Sequence, residues 1–93
     1  MLNIVVVCSL GLGSSFIIES NVRMYFKDSN IKYNVLRCDI TTAEFYEPDI
    51  YICSEDINFN VDKKNIEKIE LEDLLDKEEL SDKLTSYLKS RGI

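Results

Sequence analysis

Asn3 to Cys8 reads Asn-Ile-Val-Val-Val-Cys, an apolar, β-branched run with no polar alternation. Branching at Cβ favours extended backbone, and an unbroken apolar strand needs cover on both faces. Such a strand belongs inside a parallel sheet, and this demand limits the possible folds more than any other stretch. The run stops at Ser9-Leu10-Gly11-Leu12-Gly13-Ser14-Ser15, where Gly11 and Gly13 allow a tight turn and close backbone approach. Phe16-Ile17-Ile18 then opens a helical pattern that Ser14 or Ser15 can cap. A strand ending in cysteine and feeding a helix through this turn sets a sulfur at the rim of an anion cradle of backbone amides.

The remaining segments supply partners for that strand. Residues 15 to 28 predict a helix with Phe16, Ile17, Val22, Met24, Tyr25 and Phe26 inward and Glu19, Asn21, Arg23 and Lys27 largely outside. Ile31 to Cys38 alternates partially, with Tyr33, Val35 and Leu36 inward, as expected of a strand nearer an edge. Residues 39 to 48 form a polar connection with room for one helical turn around Ala43, Phe45 and Tyr46, and Asp49 to Cys53 is a third, buried strand. Residues 57 to 65 read as loop, and Asn65 to Leu71 as a fourth strand through Ile66 and Ile69. Asp76 and Glu79 resemble a capping box before a helix with Leu80, Leu84 and Leu88 inward, Lys89 and Arg91 in its last turn, and Gly92 as its stop.

This order gives one α/β domain over residues 1–93, a small Rossmann-like three-layer sandwich with a mainly parallel four-stranded sheet and flanking helices. Functional loops in such sheets lie beyond the carboxyl ends of the strands, where Cys8, Asp39 and Ser54 all fall.

Composition narrows the chemistry. Lys plus Arg number 11 against 17 Asp plus Glu, a net charge of -6, and the basic residues form no stripe. Nucleic acid is therefore not an expected partner. No stretch approaches the roughly twenty apolar residues of a membrane helix, and no basic segment precedes the first strand as in a signal peptide, so the chain is expected in the cytoplasm. Cys8, Cys38 and Cys53 form no CxxC pair, and there is no histidine. Zinc, a secreted disulfide framework and a Cys-His pair within the chain are all disfavoured, and neither metal nor cofactor is expected.

Three readings of the loop stand open. A dinucleotide fingerprint is incomplete, since Phe16 occupies the place of its third glycine. A covalent phosphoryl or acyl site fits a nucleophilic sulfur beside turn amides and the hydroxyls of Ser14 and Ser15. A thiol phosphatase, however, needs a clamping arginine, and the loop contains none. The plainest reading is a buried cysteine before an ordinary strand-to-helix turn. Elsewhere, Cys38 and Cys53 read as buried free thiols, Tyr46 and Tyr51 as packing residues, and Asp39 as a loop-ordering side chain rather than an acid. Ser54 is a weak candidate for pocket lining.

The stretch Val7-Cys8-Ser9-Leu10-Gly11-Leu12-Gly13-Ser14-Ser15-Phe16-Ile17-Ile18 resembles the phosphocysteine loop of enzyme IIB components of the bacterial phosphoenolpyruvate-dependent sugar phosphotransferase system, nearest the ascorbate-specific branch of the ascorbate and galactitol type. Arg37-Cys38-Asp39, Pro48 to Ser54 and Asp76 to Glu79 extend the likeness. The resemblance implies a phosphoryl carrier. Cys8 takes the group from a phosphohistidine on a IIA partner and passes it to an ascorbate-like or galactitol-like sugar held by a IIC membrane transporter, which can bring the chain to the inner membrane face. Ser9, Leu10, Gly11, Leu12, Gly13, Ser14 and Ser15 would bind the phosphoryl group. Without a loop arginine the thiophosphate is not clamped for hydrolysis, as suits a carrier. Ser9 stands where the family usually has glycine, and Leu10 and Leu12 make the rim apolar, as docking surface or as core. A small cysteine-dependent phosphatase or regulatory phosphate-binding domain is the alternative.

Overall fold

The computed structural model describes residues 1–8, 12–55 and 66–92, with residues 12–14 described by their backbone only. Its elements are β1 (Leu2–Cys8), α1 (Leu12–Phe26), β2 (Tyr33–Asp39), a 3-10 turn (Ala43–Phe45), β3 (Ile50–Ser54), β4 (Glu67–Leu71) and α2 (Lys77–Ser90). The four strands form a parallel sheet in the order β2-β1-β3-β4. The expected loop over residues 57 to 65 lies outside the described residues.

β1 is central because its side chains require it: Ile4, Val5, Val6 and Val7 are each no more than 2% exposed. Burial of one such side chain contributes about 1.5–3 kcal/mol. Alternation sends Ile4 and Val6 to one face, with Ile18, Val22 and Phe26 of α1 and Leu80, Leu84, Tyr87 and Leu88 of α2. Val5 and Val7 go to the other, with Ala43, Tyr51 and Cys53. Both helices therefore share a face, and the 3-10 turn is the described cover of the opposite one. Handedness accounts for this division. The chain steps from β1 out to β2 and then back past β1 to β3, so two right-handed crossovers lie on opposite faces.

α1 begins three residues earlier than the sequence predicts, which puts Ser14 and Ser15 inside its first turn rather than at its cap. Its buried face is Ser15, Ile18, Val22 and Phe26, with Asn21 beside it. Phe16 and Met24, expected inward, are 58% and 56% exposed, and Ile17 is also exposed. A serine in a core-facing slot disguises the true stripe. Leu36 is likewise exposed on edge strand β2, and β4 buries Ile69 and Leu71 against the helices while Ile66 packs on the other cluster.

α2 starts as expected, with Asp76 Oδ1 accepting from the amides of Glu78 and Glu79 at 3.0 and 3.2 Å. The box is not closed, because Glu79 accepts instead from the amides of Glu72 and Asp73 at 2.8 and 3.0 Å. That contact ties the end of β4 to the start of α2. Gly92, at φ 71°, follows the helix in the left-handed conformation that favours glycine.

Candidate functional site

Cys8 is the last residue of β1, on the face of Ile4 and Val6 beneath α1. It is 7% exposed, and its Sγ donates a weak hydrogen bond to the Cys38 carbonyl oxygen at 3.6 Å. The strand order reverses beside β1, the position where parallel sheets open a crevice at their carboxyl edge. A cavity of about 810 Å³ opens there, lined by Cys8 with Ser15 and Glu19 of α1, Arg37 and Asp39 of β2, and Tyr46 after the 3-10 turn.

Of the loop residues expected to bind phosphate, Ser15 is in the wall of this cavity, buried in the first turns of α1. Leu12, Gly13 and Ser14 belong to the helix backbone. Ser9, Leu10 and Gly11, and the side chains of Leu12 and Ser14, lie outside the described residues.

Asp39 is the register partner of Cys8. Its Oδ1 accepts from the Thr41 hydroxyl at 2.7 Å and from the Thr42 amide and hydroxyl, both at 3.0 Å. These bonds, the Thr41 hydroxyl foremost, hold its carboxyl below the usual range. Burial pushes the thiols of Cys38 and Cys53 up, each to about 11. Cys53 is fully buried in the cluster opposite the helices, so only Cys8 and Cys38 reach the cavity. Ser54 is buried at the end of β3 and does not line it.

Arg37 is the residue that reading the chain in order misses. It sits opposite Val6, two pairs before Cys8–Asp39 and therefore on the same face. Its Nε lies 3.0 Å from Glu19 Oε1, while Arg23 Nε lies 3.3 Å from Glu19 Oε2. The guanidinium carbon also stands 5.3 Å from the centre of the Phe16 ring. Phe16, Glu19 and Arg23, at helical spacings of three and four, form a stripe that seats Arg37. The signal in the sequence is that spacing, visible only once β2 is known to lie beside α1.

The family model described as "PTS system, Lactose/Cellobiose specific IIB subunit" matches residues 3–86. The chain belongs to this family. The match corrects the ascorbate and galactitol assignment, since it falls on the lactose/cellobiose-specific subfamily. No curated protein matches the chain. As a IIB domain it is a phosphoryl-carrying phosphotransferase, and membership implies the general IIA and IIC partnership. No helix among the described residues is long and apolar enough to cross a membrane. Nor does any group of Cys, Asp and Glu among them offer a metal site.

Proposed function

We propose that Cys8 is the phosphoryl acceptor of this IIB domain, and that the Ser9–Ser15 loop with the N-terminus of α1 binds the transferred group. The supporting observation is the position of the sulfur. It ends the central strand, lines the cavity at the carboxyl edge, and precedes by four residues a helix whose N-terminal amides favour an anion.

In the first step the Cys8 sulfur attacks the phosphorus of a phosphohistidine on IIA. The S–P bond forms, the P–N bond breaks, and the thiol proton passes through solvent to the departing imidazole. In the second, a sugar hydroxyl held by IIC attacks the same phosphorus. The S–P bond breaks and the hydroxyl proton returns to the sulfur. Both are in-line displacements that need positioning and donors for the equatorial oxygens, with no activated water. The sugar is proposed to be a disaccharide of the lactose or cellobiose kind, as the family's description suggests.

The test is transfer onward. Phosphorylated protein is mixed with membranes carrying the cognate IIC and either lactose or cellobiose. Sugar phosphate should form with one of them, and none should form from Cys8→Ser protein. Equal sugar phosphate from the Cys8→Ser protein contradicts the assignment of the acceptor, and transfer to neither sugar contradicts the substrate class.

A further inference from the structure

We propose that Arg37 is a phosphoryl-binding residue, supplying from the neighbouring strand the counter-charge that the glycine loop lacks. This rests on the reading of Cys8 as acceptor. Sheet register places Arg37 diagonally beside Cys8 on the face beneath α1, and both line one cavity. The guanidinium is fixed from two directions, by Glu19 Oε1 at 3.0 Å and by the face of Phe16. An arginine side chain on an edge strand is ordinarily free to wander, so this double hold sets its orientation in advance.

The local charge balance points the same way. Glu19 carries one negative charge and meets two guanidiniums, Arg23 and Arg37, so the cluster retains one positive charge within a chain of net charge -6. A phosphoryl group on sulfur brings nearly two negative charges, and during transfer they spread over three oxygens. The Arg37 Nε faces Glu19, and its two Nη amines carry four further donors in a planar fork suited to phosphoryl oxygens. The other ionisable groups around the cavity are Glu19 from α1, with Arg23 joined to it, Cys38 and Asp39 from β2, and Tyr46 after the 3-10 turn. Asp39 is engaged by Thr41 and Thr42. That carboxylate stays ionised, but Glu19, in contact with Arg37 at 3.0 Å, is its principal acidic modulator.

The experiment is a phosphorus NMR titration of the phosphorylated protein, prepared through IIA, for wild type, Arg37→Gln, Arg37→Lys and Glu19→Gln. Arg37→Gln should raise the second ionisation of the phosphoryl group by about half a pH unit or more, as loss of a nearby cation does. Arg37→Lys should remain near wild type. Glu19→Gln should move the ionisation the opposite way, because it removes a negative charge and releases Arg37. This arm keeps the test decisive if Arg37→Gln folds poorly. An ionisation unchanged in Arg37→Gln, or raised in Glu19→Gln, overturns the role of Arg37 and leaves Cys8 as acceptor. Failure of the wild-type protein to carry phosphate on Cys8 overturns the acceptor reading itself.

Discussion

Asp39 stands directly across from Cys8 in the β1–β2 ladder, yet its carboxylate is occupied by Thr41 and Thr42. A group held ionised by these donors orders the turn after β2 and is poorly suited to deliver a proton. Asp39→Asn keeps an acceptor oxygen for the turn. Its single-turnover rate of phosphoryl acceptance from IIA should stay within about threefold of wild type, since loss of a general acid costs roughly 10²- to 10⁴-fold. A loss of that larger size would make Asp39 a participant in the chemistry.

Glu79 carries a pH dependence of stability. The amides of Glu72 and Asp73, then Lys83 at 2.9 Å, push its carboxyl down to about 2 from an ordinary 4.5. The folded value lies below the unfolded one, so this stabilisation is complete above about pH 4.5 and disappears as the pH falls through 2. Glu79→Gln should melt at a lower temperature near neutral pH, and its deficit should shrink across that window. Thermal melts at a series of pH values measure this. A deficit that stays constant down to pH 2 would show that ionisation of Glu79 contributes nothing.

Tyr51 links the sheet to the cavity wall. Its hydroxyl is 2.9 Å from the carbonyl oxygens of both Ala43 and Tyr46 and shares its proton between them. Tyr51→Phe should cost about 0.5–1.5 kcal/mol, the Ala43 carbonyl still accepting from the Tyr46 amide at 3.2 Å. Urea unfolding should show a lower midpoint with an unchanged slope. An unchanged midpoint would mean that packing of the ring alone holds the 3-10 turn.

The parts of the fold legible in the sequence are those whose burial pattern admits one explanation. β1 and β3 are continuous apolar runs, and the leucines of α2 repeat every fourth residue behind a side-chain cap. The inner face of α1 was hidden because Ser15 fills a core-facing position while Phe16 and Met24 remain outside. The capping box failed for a tertiary reason, since Glu79 meets the chain arriving from β4. Cys8, the proposed acceptor, stands out locally as a sulfur between a strand and a glycine turn. Arg37 does not, because only pairing with β1 and cover by Glu19 and Phe16 bring it to the cavity beside Cys8. The loop residues also misled on the branch of the family. In the role proposed for them they serve phosphoryl transfer, whose chemistry is the same whichever sugar finally receives the group.

The most direct measurement is intact mass, followed by mapping of the modified peptide, after incubation with phosphoenolpyruvate, the general phosphotransferase components and a cognate IIA. The account predicts one added phosphoryl group on Cys8, retained in Cys38→Ser and Cys53→Ser and absent in Cys8→Ser. A phosphoryl group mapped to another residue, or a wild-type chain that gains none, would contradict it.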